Sequence, residues 1–447
     1  MADMSTASAV KRPHPKGLPV LFTTEMWERF SFYSMRAIFA LYMITPKEQG
    51  GLGFSPDLTA TIYGLYVGLV YFTPFFGGIL ADRVFGIRRS ITIGGIFFIA
   101  GHALLAVPPV PFFFAGLICL IIGNGMFKPN ISTMLGNLYR EVPERRDDGY
   151  NIFYMGINLG AFLSPMVAGT LRVHYGWHYG FGAAAIGMMI SMAIFWSMQR
   201  MVEKGDQSAA RMRRKDPMHR EKVVEASADP VKDRQRTWAL IVIFIIVIFF
   251  WMAFEQQGLT LTFWAQSATN TAIAPEMFQS INPMYILLLT FPLVAFWGLL
   301  RRFGKEPTTA SKMFIGMLFA AAAFVIMGFA GLAGGDTGHV SVWWLLIAYG
   351  VLTTAELMLS PMGLSLVSKL APKRRLGMMM GGWFLVSGIG GGMAGQIGHL
   401  WYRMSHSEYL FLIAGMLAVI ALVLLTQLRR LNPIIHDAEQ EAAREAA

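Results

Sequence analysis

The sequence has little charge and almost no cysteine. Charged residues make up only 14% of the 447 residues and 55% are hydrophobic, whereas a soluble protein of this size needs more charge to cover its surface. The single cysteine, Cys119, lies in an apolar stretch and cannot form an internal disulfide. The composition therefore excludes a disulfide-stapled secreted domain and a cysteine-ligated metal site, and it favours a protein exposed to lipid.

Apolar segments near the ~20 residues that cross a bilayer recur along the whole chain. We predict twelve membrane-spanning helices at residues 18–45, 58–81, 91–108, 112–139, 149–173, 177–199, 238–268, 283–300, 311–333, 341–369, 376–401 and 408–428. Residues 201–236 carry ten basic and seven acidic side chains among few apolar ones. The sequence thus predicts an all-α membrane protein with two six-helix bundles, 18–200 and 238–428, a linker at 201–237, and tails at 1–17 and 429–447. Such halves are typical of transporters that bind between their bundles.

The distribution of basic residues predicts the orientation in the membrane. If both termini are cytoplasmic, the cytoplasmic segments hold 31 of the 37 Lys and Arg, and the outer loops hold only Lys47, Arg172 and Arg403. An excess of this kind marks the cytoplasmic side. The net charge of +10 is therefore an insertion signal, and we expect no nucleic-acid partner. The start of the chain also lacks the pattern of a removable signal peptide.

Proline and glycine within the spans predict kinks and tight helix crossings. Prolines fall inside five spans, at Pro74, Pro129, Pro165, Pro292 and Pro361. Residues 388–398 read GIGGGMAGQIG, and glycine permits close helix contact. Because both features are common in polytopic proteins, they favour a moving bundle only weakly.

Seven charged residues fall inside or close to predicted spans. They are Glu25, Glu28, Arg29 and Arg36 in the first span, and Lys128, Glu255 and Glu356 in later ones. A charge at mid-membrane costs roughly 2.5–3.5 kcal/mol on insertion scales, so seven unpaired charges would cost about 20 kcal/mol. At ~100° per residue, the charges of the first span share one helix face with Tyr33. We therefore expect these groups to line a pathway, with a structural ion-pair cluster as the alternative.

The signs of these charges predict what the pathway carries. Three cations against four anions leave one excess negative charge, which one proton would neutralise. A cavity with groups of both signs suits a zwitterion such as an amino acid or a peptide. Tyr33, Tyr71 and Trp383 are candidate apolar walls, with simple packing as the alternative for each. An ion pair between Lys128 and Glu356 would join the two bundles and couple occupancy to alternating access.

Several motifs resemble those of one transporter family. Residues 25–33 read EMWERFSFY, which is similar to the ExxERFxYY motif of the proton-dependent oligopeptide transporter family, in the major facilitator superfamily. Phe32 replaces the first tyrosine of that motif. Further matches are GGILADRVFGIRR at 77–89, KPN at 128–130, FYMGINLGAFLSP at 153–165 and AELMLSPMGLSLVSKLAP at 355–372. The matches extend along the chain, which therefore resembles a bacterial member of this family.

The resemblance implies a major facilitator fold and a role for each matching residue. Proton coupling would involve Glu25, Glu28, Arg29 and Glu255. The peptide would be bound by Arg29, Tyr33, Arg36, Tyr71, Lys128, Asn158, Asn282, Glu356, Ser360 and Trp383. The cations would receive the carboxylate of the peptide, and Glu356 would receive its amino terminus.

Two features depart from the family pattern. Many members carry consecutive acidic residues on helix 7, whereas Glu255 is followed here by Gln256 and Gln257. Which position of this helix carries a proton, or whether any does, therefore stays open. Bacterial members often have two additional helices between helices 6 and 7, and residues 201–236 contain no apolar run that could provide them.

The sequence as a whole predicts a proton-coupled symporter of the cytoplasmic (inner) membrane. It would import di- and tripeptides by alternating access, as a monomer in the lipid bilayer and without a cofactor. One alternative is a proton-coupled transporter of another zwitterion or a drug-like compound, including an exporter. A membrane enzyme is a weaker alternative, because the sequence has no metal-ligand cluster, nucleophile elbow or phosphate-binding loop. A receptor that senses peptide without transporting it is the last.

Overall fold

The structure, a computed structural model, describes residues 13–142, 145–206, 230–336, 338–371 and 376–446. Within these ranges twelve helices have 19 or more residues. They are Leu18–Ile44 (α1), Pro56–Leu80 (α2), Ile87–Leu105 (α3), Val110–Leu138 (α4), Arg146–Tyr175 (α5), Trp177–Ser197 (α6), Pro230–Phe254 (α7), Ile281–Arg302 (α8), Thr309–Ala333 (α9), Val342–Leu370 (α10), Leu376–Gly398 (α11) and His406–Ala446 (α12). Two short strands, Thr269–Asn270 (β1) and Val340–Ser341 (β2), pair in parallel.

Most of these helices have the length and composition of membrane spans. Nine helices in the described part of the chain are long and apolar enough to cross a bilayer. The other three long helices are α1, α3 and α11. Helix α1 carries four charged residues, α3 begins with two arginines after Ile87, and α11 is rich in glycine. The fold is therefore that of a helical, multi-pass membrane protein.

Two helices extend beyond their predicted ends. Helix α7 begins at Pro230 rather than at 238, and α12 continues to Ala446 rather than ending at 428. At about 1.5 Å per residue, a helix as long as α12 is roughly twice the thickness of the hydrocarbon core. The extension of α12 packs through its buried residues Leu431 and Ile435, and Asp437 lies 3.8 Å from Arg236 of α7. Helix therefore replaces part of the predicted linker and tail, while linker residues 207–229 lie outside the described ranges.

The helices pack mainly within the two halves of the chain. In the first half α1 packs against α5 and α6, and α3 packs against α4. In the second half α9 packs against α10 and α12, and α7 packs against α11. The halves meet where α2 runs along α11 and where α5 contacts α8. This arrangement leaves the charged face of α1 close to α7 at the junction of the halves.

Glycines allow α2 and α11 to touch backbone to backbone. A Cβ atom added to Gly64 would lie 2.8 Å from the main-chain oxygen of Gly392. A Cβ atom added to Gly395 would lie 2.3 Å from the main-chain oxygen of Ala60. Both distances are shorter than a carbon atom can approach without displacing backbone, so the two helices fit together only while these positions lack a side chain.

Helix α7 is interrupted within its predicted span. It ends at Phe254, and residues Glu255–Gly258 form one turn of 3-10 helix. Leu259 follows with φ −125° and ψ −91°, and a short helix then occupies Thr260–Ser267. The continuous helix predicted for 238–268 is therefore wrong at its centre. A 3-10 turn inside a helix often marks a functional hinge, and this one carries Glu255.

Polar contacts join the two halves at the end of the molecule that holds the α1–α2 and α11–α12 connections, which we call the distal end. Arg172, in the last turn of α5, donates two hydrogen bonds of 2.6 and 2.7 Å to Glu276, which precedes α8. Gln279 donates to the main-chain oxygen of Ala37 on α1 at 3.2 Å. Because Glu276 is fully buried, its pairing with Arg172 closes the distal end in this conformation.

Candidate functional site

The polar face of α1 carries the first ionic cluster. Arg29 donates hydrogen bonds to both carboxylate oxygens of Glu28, at 2.5 and 2.8 Å. Its Nε also lies 3.1 Å from Oε1 of Glu25. All three side chains are buried, and Oε2 of Glu25 has no hydrogen-bond partner within the described part of the chain. Two carboxylates thus share one guanidinium, which leaves one excess negative charge when both are ionised.

The second cluster connects the two halves of the molecule. Arg36 on α1 forms an ion pair with Glu255 at the interruption of α7. Tyr63 on α2 accepts from Arg36 at 3.4 Å, and its hydroxyl donates to the main-chain oxygen of Glu255 at 3.3 Å. Gly258 makes room for this phenol, because an added Cβ would lie 2.1 Å from the tyrosine hydroxyl. The sequence analysis did not identify Tyr63, since a tyrosine in an apolar span has no distinguishing pattern.

The residue after Glu255 points away from this cluster. The side-chain amide of Gln256 donates to the main-chain oxygen of Ala394 on α11 at 3.1 Å. Its oxygen accepts from the hydroxyls of Thr260 and Tyr409, each at 2.9 Å. Gln256 therefore ties the interruption of α7 to α11 and α12, and the carboxylate that faces Arg36 belongs to Glu255 alone among residues 255–257.

We expect Gln256→Glu to destabilise the protein. An ionised carboxylate cannot donate to the carbonyl of Ala394, and leaving buried polar groups unpaired costs about 1–3 kcal/mol. Thermal unfolding of the purified protein in detergent should show a melting temperature several degrees below that of the parent. The exposed Gln49 provides the matched control, and Gln49→Glu should leave melting unchanged. An unchanged melting temperature for Gln256→Glu would show that the amide is not required.

The third cluster holds Glu356 without a cation. Asn282 on α8 donates to Oε2 of Glu356 at 2.8 Å and to Oγ1 of Thr353 at 3.0 Å. The expected ion pair between Lys128 and Glu356 is not formed among the residues described. The ammonium of Lys128 lies instead 4.6 Å from the centre of the Tyr71 ring. The first half thus offers a cation, and the second half a carboxylate, that have no ion-pair partner in the described structure.

Tyr33 and α5 connect these clusters. Tyr33 lies within electrostatic reach of Arg29, Arg36, Glu255 and Glu356. Asn158 is buried on α5, where its side chain donates to the main-chain oxygen of Tyr154 at 2.9 Å. The phenol of Tyr154 lies within electrostatic reach of Glu356 and Tyr33. Tyr154 belongs to the FYMGINLG motif, from which the sequence analysis selected only Asn158.

The last two predicted residues lie in the second half. Trp383 on α11 is 3% exposed and covers Gly363 of α10, where an added Cβ would lie 1.8 Å from the indole ring. Its ring centre is also 6.3 Å from that of Phe244 on α7. Ser360 is half-buried on α10, about one turn after Glu356. In this conformation Trp383 therefore packs between helices of its own half.

These observations define a polytopic helical membrane protein whose two halves meet at a buried ionic site. The model of the POT family matches residues 88–216 and 207–417. A di-/tripeptide transporter of Lactococcus lactis subsp. cremoris is 31% identical over 481 residues, with 93% of this chain and 95% of that protein covered. The chain belongs to the POT family, and the resemblance carried by residues 25–33 is confirmed.

Solved structures of the family have the same fold. A mutant of the peptide transporter POT, in complex with alafosfalin, superimposes with a TM-score of 0.86 at 33% identity, covering 95% of this chain and 97% of that one. A POT family transporter in complex with 5-aminolevulinic acid gives a TM-score of 0.84 at 30% identity, covering 94% and 97%. The family consists of transporters, and this chain is accordingly a multi-pass membrane protein.

Proposed function

We propose that the protein is a proton-coupled symporter that imports di- and tripeptides across the cytoplasmic membrane by alternating access. The observation that carries the proposal is the pair of opposite charges, Lys128 and Glu356, that lack ion-pair partners in the described structure and lie on different halves. A zwitterion satisfies both without adding net charge. The names of the relatives, which include di-/tripeptide transporters, support a peptide as this zwitterion.

The clusters suggest how a peptide binds. Its carboxylate interacts with Lys128, with Arg29 and Arg36 adding positive charge, and its amino group interacts with Glu356, which Asn282 orients. The aromatic and polar side chains on the surrounding helices shape the pocket. They are Tyr33, Tyr71, Asn158, Ser360 and Trp383. Binding both ends of the peptide draws the two halves together, which is the step that alternating access requires.

The ionic clusters suggest how a proton is coupled to this movement. The pair between Arg36 and Glu255 joins the halves, so protonation of Glu255 removes one electrostatic restraint between them. The shared guanidinium of Arg29 leaves Glu25 or Glu28 as a further proton acceptor. No cofactor takes part in this mechanism, and one copy of the chain contains every group that it uses.

The orientation follows from the distribution of basic residues. All twelve long helices span the membrane, both termini and the linker at 201–237 are cytoplasmic, and the distal end faces outward. The contact between Arg172 and Glu276 then closes the external side, so that this conformation is closed to the outside.

Uptake of labelled dialanine into liposomes that contain the purified protein tests the function. With an inward gradient of one pH unit and one proton per peptide, we expect the internal concentration to rise to about ten times the external one. An ionophore that collapses the gradient should abolish the accumulation, and Glu356→Gln should abolish it with the gradient intact. Absence of accumulation by folded protein, or movement against the inward gradient, would contradict the proposal.

A different zwitterion is the second candidate substrate. The complex of a POT family transporter with 5-aminolevulinic acid favours it, because that ligand also carries an amino group and a carboxylate. The same liposomes should therefore be tested with labelled 5-aminolevulinic acid. Accumulation of this compound without accumulation of dialanine would assign the protein to the second candidate.

A further inference from the structure

A polar cluster lies at the distal end of the contact between α2 and α11. His399, in the turn that follows α11, places Nδ1 2.7 Å from Oδ1 of Asp57 and Nε2 3.2 Å from Oγ1 of Thr61. Arg403 places Nη2 3.1 Å from Oδ2 of Asp57. Asp57 and Thr61 belong to α2 in the first half, whereas His399 and Arg403 belong to the second. The cluster therefore joins the two halves.

The hydrogen bonds of this cluster indicate the charge of His399. The single hydroxyl proton of Thr61 is donated to the main-chain oxygen of Asp57 at 2.9 Å, so its oxygen is left as an acceptor toward Nε2. Nδ1 faces a carboxylate oxygen, which also accepts. An imidazole that donates from both nitrogens is the protonated form, and a neutral ring satisfies only one of the two contacts.

The charges around the ring are divided between both halves. Asp57 favours a positive ring, and Arg403 opposes it but is 63% exposed and screened by water. Two other titratable groups on α12 are occupied elsewhere. His406 stacks on Trp401 at 4.2 Å, and Glu408 accepts from the main-chain amide of Ser405 at 3.0 Å. The carboxylate of Asp57 is thus the charge that meets His399 directly.

Separation of the halves breaks every contact that favours the protonated ring. The cluster continues the glycine contact between α2 and α11, because Gly395 touches Ala60 and Gly398 lies against Leu259. If α2 moves away from α11, His399 loses Asp57 and Thr61 together. By linkage, a proton that binds more tightly in the closed form must itself favour closure. This extra stability of the closed form is present at acidic pH and is lost as the pH rises.

We propose that His399 is a proton-operated latch that closes the distal end when it takes up a proton from the solution outside. Asp57 and Thr61 hold the protonated ring, and its deprotonation releases α2 from α11. The proposal rests on the proposed function only in placing the distal end outside. Because the charge of histidine changes between about pH 5 and pH 8, an acidic exterior favours the closed form.

Distance measurement by double electron–electron resonance tests the latch in the full-length protein. Spin labels at Tyr175→Cys and Trp343→Cys, in a Cys119→Ser background, report separation of the halves, because both positions are exposed at the distal end. From pH 8 to pH 5.5 we expect the short-distance population to rise several-fold relative to the long-distance one. His399→Gln and Asp57→Asn should each reduce this pH response.

The exposed His174 lies at the same end and provides the control, since His174→Gln should retain the full response. A response in His399→Gln equal to that of His174→Gln would overturn the proposal. The His399→Arg variant keeps a positive charge at every pH and should hold the short distance at pH 8. If the wild type accumulates no peptide but its distances respond through His399, the latch stands and the proposed function fails.

Discussion

Replacing Gly395 with valine is expected to stop peptide accumulation while leaving the protein folded. An added Cβ at this position would lie 2.3 Å from the main-chain oxygen of Ala60 and 2.6 Å from Cα of Gly64. Overpacking of this kind costs about 1–3 kcal/mol, and only the conformation with the distal end closed suffers it. The closed population should therefore fall roughly 5- to 150-fold relative to the open one.

Two measurements check this expectation. Dialanine uptake should fall to the level of empty liposomes, and spin labels at Tyr175→Cys and Trp343→Cys should report the long distance. Gly415 on α12 provides the control, because an added Cβ there would meet no atom within 4 Å. Gly415→Val should retain both transport and the short distance. Normal transport by Gly395→Val would show that the close contact of α2 with α11 is not required for the cycle.

The contact between α2 and α11 illustrates how far the sequence alone leads. The glycine run at 388–398 predicts a tight crossing, and α11 does pack closely against another helix at Gly391 and Gly395. The sequence could not identify the partner, because α2 contributes only the widely spaced Gly64 and Gly68, which form no comparable run. Close helix contact depends on which small residues face each other, and that information lies in the packing of two distant segments.

The candidate site shows the same division between local and distant information. Periodicity alone places Glu25 and Arg29 on one helix face, and they form an ion pair within α1. The partner of Glu255 could not be predicted, because the 3-10 turn at the interruption of α7 changes the direction in which its side chain points. The predicted ion pair of Lys128 with Glu356 requires a different separation of the halves, which the sequence does not specify.

His399 was not recognised for a related reason. Its significance depends on Asp57 and Thr61, which lie more than 300 residues earlier in the chain and meet it only through the contact of α2 with α11. A histidine in a connecting turn is common in any membrane protein. The hydrogen-bond pattern that indicates its protonation is visible only once the hydroxyl of Thr61 has a known acceptor.

Replacing Glu255 with glutamine is expected to separate exchange from accumulation. Glutamine keeps an oxygen that accepts from Arg36 but has no charge to gain or lose, so it resembles the protonated carboxyl group permanently. Exchange of internal for external dialanine needs no net proton movement and should continue. Accumulation driven by one pH unit should fall from about tenfold to none. Both rates are measured in the same liposomes, and Glu48→Gln, at an exposed position, should leave both unchanged.

Glu28→Gln distinguishes this carrier from one on α1. Both hydrogen bonds from Arg29 to Glu28 lie within a single helix, so the charge of Glu28 does not restrain one half against the other. If Glu255 carries the coupled proton, Glu28→Gln should reduce exchange and accumulation together by disturbing the position of Arg29. If Glu28→Gln instead abolishes only accumulation while Glu255→Gln retains it, the coupled proton resides on α1. The ion pair of Arg36 with Glu255 is then a structural link between the halves, because breaking it would leave the coupling intact.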